Sequence, residues 1–488
     1  MAHKVILVFP SFRQDSERPE RPPLGILTVA APLAARGVEV VVLDERVEEN
    51  FDALLAQQLE TGPLCVGVSS MSGYHITRAL RVSELVKRNS AIPVVWGGVQ
   101  ASLEPKSTIT HPLVDFIVRD DGEESFPRLL ESLASGLRSV AAIPGIAYKT
   151  GKTVHFTGEP EPADINKLPL VPFHLIDWKK YGVPPGGRDE RWTQEPRRIV
   201  PMETSRGCPF SCIFCTESAR KKKWRSLPPE RVVEDIRKCV ELYSIRNFTF
   251  IDDNLFGDIK RGERLVELLV AADLGISWYS NIRTDFMSRA SPAFLGSLEA
   301  SGCRMLTFGA ESGSERVLKM INKKASSGNV LEVNRRLTRR KITPHFVTIR
   351  GFPTETAAEL RQTYRLLCEL MLGNPRALCD SPFLIATPGT RIAEMCLGDR
   401  TKTYTLEDWA GVFDLFAGVK PDWVLDETWE FIKSHETFIS AMWAAGAESG
   451  VKRVAGRMVL WLYRVGFKFN LSKYIGLLTG RSAVKLRR

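Results

Sequence analysis

The chain has 488 residues, more than one ordinary domain of roughly 100–200 residues needs, so about three units are expected. With 44% hydrophobic and 25% charged residues it has the balance of a globular protein that buries large cores, and its net charge of +10 bears on partners rather than on fold. Nine cysteines, an odd number without paired spacing, argue against a disulfide framework, no apolar run reaches the ~18–20 residues of a membrane span, and the short run before Pro10 is unlike a signal peptide.

Residues 4–10, 38–44, 65–72, 92–98 and 114–124 read as strands, nearly continuous in apolar residues. Helical stretches at 23–37, 51–60, 76–88 and 125–135 alternate with them. Apolar strands alternating with helices predict a parallel sheet covered on both faces, an open doubly wound, Rossmann-like domain over residues 1–140. Such sheets bind ligands at the carboxyl ends of their strands. Those ends carry Pro10, Asp44, Ser69, Ser70, Gly97, Gly98, Gly122 and Glu123. Residues 141–198 follow as a hairpin turning at Thr150-Gly151 and a Pro/Gly-rich linker.

A second alternation fills 199–395. Strands are expected at 198–205, 246–252, 276–283, 303–311, 343–351 and 380–387, with helices at 229–243, 262–274, 291–301, 314–322 and 357–371. Six strand–helix units predict a partial (β/α)6 barrel of TIM type, whose chemistry sits at the carboxyl ends of the strands. Residues 396–488 read as a helical C-terminal domain rich in Trp.

Just past the first barrel strand, "GCPFSCIFC" places Cys208, Cys212 and Cys215 at C-x3-C-x2-C spacing. Zinc normally takes four ligands, and the nearest histidine, His174, lies in the linker. Iron–sulfur clusters are held by Cys thiolates, usually four. A cube held by three leaves one iron open to a substrate or cofactor.

The motif resembles that of the radical S-adenosylmethionine (SAM) enzymes. "FIDDNLF", "WYSNIRTD", "FGAESGSERVLKMINK", "IRGFPTET" and "ATPGTR" look like successive strand-end signatures of the cobalamin-binding subgroup, class B methyltransferase-like. "PPLGILTVAAPLAARGVEVVVLD" and "VVWGGVQASLEP", with "VDFIVRDDGEESFPRLL", are similar to its cobalamin domain. The resemblance spans roughly residues 4–395 and implies three cofactors: a [4Fe–4S] cluster, SAM and cobalamin. Cys208, Cys212 and Cys215 would hold three irons, and SAM would chelate the fourth. One-electron cleavage of SAM would give a 5′-deoxyadenosyl radical that abstracts hydrogen from carbon.

For SAM, the resemblance implies Glu311 for the ribose hydroxyls and Ser312 for the carboxylate; the alternative for Glu311 is a strand-end ion pair with a barrel Arg. Arg283 is expected either at the SAM carboxylate or in a structural ion pair. Asp252 and Asp253 are candidates for the SAM amino group, for substrate, or for capping the next turn. Phe214 is expected to shield cluster or adenine. For cobalamin, the family signature with a cobalt-ligating His is missing: Glu45 and Arg46 follow Asp44, and residue 49 is Glu. Cobalt is therefore expected without a protein His ligand. The nucleotide tail is expected to pass Ser69, Ser70, Gly97 and Gly98, where absent side chains permit close approach. Gly122 and Glu123 belong to the same edge. The loop 69–75 would cover the lower corrin face, with Met71, Tyr74 or His75 nearest the metal; a lone His at a helix start, such as His75, is more often a surface or capping residue than a ligand.

The expected activity is cobalamin-dependent C-methylation of an unactivated carbon. The alternative is a cyclisation or rearrangement with the same cofactors. Expected partners are a small-molecule, peptide or lipid substrate and a flavodoxin- or ferredoxin-type electron donor, with no nucleic acid, acting on a cytoplasmic monomer. The basic C-terminus, where Trp461, Tyr463 and Phe467 interleave with Arg457, Arg464 and Lys468, reads as a solvated helix face or a membrane-surface contact. The cavity is expected between cobalamin and SAM, closed by the linker and the Trp-rich C-terminal helices.

Overall fold

The computed structural model describes residues 3–12, 19–184, 188–220, 223–412, 419–446, 451–468 and 472. The N-terminal part builds a seven-stranded sheet in the order β2-β1-β3-β4-β5-β6-β7. Its strands are β1 (Lys4–Phe9), β2 (Glu39–Asp44), β3 (Val66–Ser69), β4 (Val94–Gly97), β5 (Phe116–Val118), β6 (Ile146–Thr150) and β7 (Thr153–Phe156). The first five are parallel, with Val8 opposite Leu43 and Val68 opposite Trp96; β6 and β7 run antiparallel. The order reverses at β1, which pairs with both β2 and β3. A crevice at the carboxyl ends is the usual consequence. The helices are α1 (Leu24–Ala35), α2 (Phe51–Glu60), α3 (Tyr74–Asn89), the short α4 (Val99–Leu103) and α5 (Pro105–Thr110), and α6 (Gly122–Ala134).

Two expectations need correction here. The fifth strand stops at Val118, because residues 122–124 open α6, with Glu123 and Glu124 in its first turn where the helix dipole favours acids. The hairpin at Thr150-Gly151 forms as expected, but it joins the sheet through β5 rather than standing apart.

The second part is a six-stranded, all-parallel sheet of partial-barrel type, ordered β15-β14-β13-β12-β11-β8. It comprises β8 (Ile199–Met202), β11 (Asn247–Phe250), β12 (Ser277–Ile282), β13 (Cys303–Glu311), β14 (Thr343–Thr348) and β15 (Leu378–Asp380). A two-stranded ribbon, β9 (Ser205–Arg206) with β10 (Arg225–Ser226), follows β8. Around them lie α7 (Thr216–Arg220), α8 (Pro229–Tyr243), α9 (Ile259–Ala272), α10 (Thr284–Met287), α11 (Pro292–Ala300), α12 (Glu315–Met320), α13 (Ser327–Leu337) and α14 (Ala357–Gly373). The sixth strand lies upstream of its expected place: Pro382 has no amide to donate, and only a single bridge from Phe383 to Arg350 continues the pairing. Helix α13, unforeseen, starts from a capping box between Ser326 and Asn329.

The C-terminal part contributes α15 (Arg391–Leu397), α16 (Leu406–Gly411), α17 (Asp426–Ser434), α18 (Glu436–Ala445) and α19 (Val451–Lys468). Helix α18 pairs with α19, and both pack on the barrel core through Phe438, Leu460, Tyr463 and Phe467. Helix α16 instead reaches the first sheet, where the carbonyl of buried Trp409 accepts from the Gly73 amide at 3.2 Å. Among the described residues no helix is long and apolar enough to cross a membrane.

Candidate active site

The cysteine loop leaves the β9 ribbon at Gly207, whose φ of +80° favours glycine and whose amide donates to Asp253 Oδ2 at 3.0 Å. It is clamped from several sides. The Ser218 hydroxyl donates to the carbonyls of Cys212 (2.5 Å) and Cys215 (2.8 Å). The Ile213 amide donates to Ile321, the Ile392 amide to Ile213, and Asn322 Nδ2 to the Ser211 carbonyl. Phe210 lies under the Arg283 guanidinium at 3.5 Å, and Phe214 meets buried Phe352 edge-on at 6.2 Å.

Cys212 is buried and its neighbours are half-buried. Burial pushes the Cys208 thiol up and the Cys215 thiol up to about 11, and the proximity of Cys212 raises both further. Metal binding would displace those protons. Among the described residues no three His, Cys, Asp or Glu side chains close on one ion. The other six cysteines are buried elsewhere.

The strand-end residues divide by how fully the protein occupies them. Asp252 is buried and accepts from the Thr204 hydroxyl (2.7 Å), the Thr204 amide and the Ser205 hydroxyl, so it braces the start of the ribbon. Asp253 opens into the cavity described below, and desolvation, reinforced by nearby Glu217, pushes its carboxyl up to about 6. Arg283 is ion-paired with Asp285 at 2.9 Å and donates to the Lys324 carbonyl. Glu311, with φ +58° at the bulged end of β13, pairs with Lys323 at 2.7 Å. Ser312 is buried, bonded to the Thr363 hydroxyl at 3.1 Å and accepting from the Ser314 amide.

A cavity of about 380 Å³ lies between the carboxyl edge of the seven-stranded sheet and the barrel mouth. Leu7, Gly67 and Val95 form its floor, α1 one wall, and Arg206, Gly207, Glu217 and Asp253 the barrel side. Ser69, Gly97, Gly98, Gly122 and Glu123 line it. So does Gly25, where an added Cβ would meet no protein atom within 4 Å and would enter the cavity. This cradle, bare of side chains at Gly25 and Gly97, fits the nucleotide tail of a corrinoid. Nothing local marks Gly25 in the sequence, although "PPLGILTV" carries it.

Ser70, Met71, Tyr74 and His75 are not among the lining residues. The Ser70 hydroxyl donates to the Gly97 carbonyl at 2.8 Å, and Gly98 packs against the Ser70 backbone so closely that a Cβ would lie 2.6 Å from its oxygen. His75 is 1% exposed, enclosed by Phe9 and Phe12, and accepts from the Met71 amide on Nδ1 at 3.1 Å. Burial drives its pKa down to about 3, which keeps the ring neutral. The C-terminal tryptophans do not close the cavity as expected: Trp409 is buried against the first sheet's helices, whereas Trp443 and Trp461 face outward. The linker instead lines a smaller cavity of about 70 Å³, which shares Leu24, Thr28, Glu203 and Arg206 with the first.

Charge concentrates where the two halves meet. Arg206 bonds Glu123 (2.6 Å) and Glu203 (2.7 Å) and lies 3.5 Å from Asp121. Arg220 pairs with Asp120 (2.9 Å) and Glu217 (2.8 Å), and Arg225 pairs with Asp121. Burial pushes Glu203 up to about 7 against the opposing pull of Arg206. Within the barrel, Asn281, Thr307 and His345 align in one row across β12, β13 and β14. Asn281 is exposed although its strand is central, so this face is open. His345 is held by Thr307 at 2.9 Å and Asp380 at 2.8 Å. In the sequence, Asn281 lies within "WYSNIRTD" and His345 is the isolated His of "TPHFVTI".

The Radical SAM superfamily model matches residues 202–367, and the B12 binding domain model matches residues 18–130. This chain is a radical SAM enzyme with a B12-binding domain. A radical SAM enzyme of this kind uses an iron–sulfur cluster, SAM and cobalamin, and draws on an external electron donor. It is 28% identical over 410 residues to an uncharacterized methyltransferase of Pyrococcus horikoshii, an alignment covering 81% of this chain and 83% of the relative. It is 26% identical over 358 residues to the anaerobic magnesium-protoporphyrin IX monomethyl ester cyclase of Rubrivivax gelatinosus, covering 71% of this chain and 61% of that one. The fold matches TsrM, a radical S-adenosylmethionine methyltransferase from Kitasatospora setae with cobalamin and a [4Fe–4S] cluster bound, with TM-score 0.66 at 18% identity over 95% of this chain and 99% of that one.

Proposed function

We propose that this radical SAM enzyme is a cobalamin-dependent C-methyltransferase acting on an unactivated carbon. The observation that carries the reading is the shared cavity: the corrinoid-type cradle and the cysteine loop's flank, at Gly207 and Asp253, border one space. Bound there, the cofactors supply hydrogen-atom abstraction from carbon and a methyl donor.

The chain's own residues bind, orient and exclude water. Cys208, Cys212 and Cys215 would hold the cluster. Gly25 and Gly97 leave room for the nucleotide tail, and the Arg206–Glu123 pair fixes the two halves at a set distance, as positioning catalysis requires. Asp253 presents a carboxyl beside the cluster loop that can accept from the SAM amino group. Lys323 holds Glu311 at the end of its strand, where one oxygen can accept from ribose hydroxyls. Asn281 faces the open barrel side as a substrate contact. The donor is expected to be a flavodoxin or ferredoxin, and the substrate a small molecule, peptide or lipid.

The likeness to the Rubrivivax cyclase supports a second reading, ring formation without methyl transfer. Product analysis with methyl-labelled SAM separates them. Methylation gives a labelled product with S-adenosylhomocysteine and deoxyadenosine in equal amounts. A product without the label, formed with deoxyadenosine alone, moves the assignment to the second reading.

A further inference from the structure

Helix α19 carries two apolar faces. Its inner face is fully used: Leu460, Tyr463 and Phe467 are buried, and Gly456 brings the backbone against Ala441 and Ala445 of α18. Arg457 Nη1 adds a bond of 2.7 Å to the Met371 carbonyl at the end of α14, so the helix is firmly mounted. The outer face is apolar as well. Val451, Val454, Met458, Trp461, Leu462 and Val465 are all exposed, Val451 at 84%, Met458 at 64% and Trp461 at 55%. At about 100° per residue these positions share one sector roughly 120° wide. Scattered exposed apolar residues are ordinary, but a contiguous helical stripe marks an interaction surface. Trp443 on the paired helix α18 is also exposed.

The flanks identify the partner. Arg453, Arg457, Arg464 and Lys468 follow one another along one border of the stripe, Lys452 lies on the other side, and the helix contains no Asp or Glu. An outward Trp with aliphatic neighbours and a one-sided row of cations is the composition of helices that lie in a membrane interface. Docking a second copy antiparallel through the same stripe would bring the cationic rows together. We propose that α19 is the membrane-facing element of this protein, seating its apolar stripe in an anionic lipid surface while its inner face stays on the barrel. The inference does not depend on which reaction the enzyme performs.

The test is co-sedimentation of the full-length holoenzyme with vesicles of phosphatidylcholine alone or mixed with phosphatidylglycerol, at low and high salt. Binding to the mixed vesicles is expected, roughly tenfold weaker to the neutral ones and weakened by salt. Met458→Glu with Trp461→Glu should abolish binding while leaving the melting temperature and deoxyadenosine formation unchanged, because both side chains point into solvent. Arg464→Glu should reduce binding part-way. Equal binding to both vesicle types, no binding to either, or unaltered binding of the double variant overturns the proposal. So does a concentration-dependent dimer in light scattering that the double variant abolishes.

Discussion

Arg206, on the ribbon beside the barrel, donates from Nη2 to Glu123, on the first turn of α6, at 2.6 Å, and both side chains are buried. One guanidinium thus joins the barrel to the edge of the other sheet. Arg206→Met leaves Glu123 and Glu203 without their shared counter-charge, while Asp121 keeps Arg225. Removing one partner of a buried pair costs about 3–5 kcal/mol. The expected result is a lower melting temperature and loss of bound corrinoid on gel filtration, with iron content retained. Unchanged melting and corrinoid content would show that the joint does not position the halves.

Any one of Cys208, Cys212 and Cys215 changed to Ala is expected to remove the cluster's visible absorbance and deoxyadenosine formation. Cys239→Ala and Cys396→Ala, in buried sites elsewhere, are expected to retain both. An intact cluster with full SAM cleavage in a loop variant would refute the assignment.

Gly25 lies within α1, where a larger residue favours the helix by up to about 1 kcal/mol. Gly25→Leu should therefore fold at least as well as the parent while filling the cavity. We expect corrinoid binding to fall sharply in titrations, with SAM cleavage preserved. Wild-type corrinoid affinity in this variant would place the tail elsewhere.

Asn281→Leu removes the exposed amide from the barrel row without touching cluster, SAM residues or cavity floor. One lost hydrogen bond, about 0.5–1.5 kcal/mol, corresponds to roughly 2–10-fold in kcat/KM for product. Deoxyadenosine should continue to form and so exceed product. Proportional loss of both would assign Asn281 to the SAM side.

Glu355 is buried in the turn after β14, where Oε2 accepts from the amides of Gly351 (2.8 Å) and Phe352 (3.3 Å). Desolvation pushes its carboxyl up to about 7. The unfolded chain ionises this group first, near pH 4–5, so its contribution to stability is fully present below that range and is lost as pH rises toward 7. The loss integrates to an upper bound of order 3 kcal/mol. Glu355→Gln keeps an acceptor and cannot ionise. Its melting temperature should match the parent near pH 4.5 and exceed it increasingly toward pH 7.5; a constant difference across that range would contradict the shift.

Local patterns were readable wherever one segment decides the outcome. The apolar runs of β1, β11 and β14 and the three cysteines are legible because burial and metal ligation leave compositional marks. What escaped depends on partners distant in the chain. Glu123 appeared as a cofactor contact, and only the fold brings it to Arg206, 83 residues on. Gly25 matters because three elements leave a space beside it. His75 stands at the right edge of the sheet, yet Phe9 and Phe12 enclose it. The end of β5 and the place of β15 were misjudged because Gly122 can start a helix as well as end a strand, and because Pro382 cuts off the apolar run in which the strand was sought.

The cavity has a timing written into it. Its floor comes from residues 7–126, and its barrel side from residues 203–253. Domains emerge from synthesis N-terminus first and fold as units. The seven-stranded sheet, complete by Phe156, can form well before Asp253 has been made. Until then the cleft has no opposite wall, and no Arg206 neutralises Glu123. A cofactor captured at that stage would sit in an open groove. The barrel side of the groove, Glu203 to Asp253, is thus added only after the sheet that forms its floor.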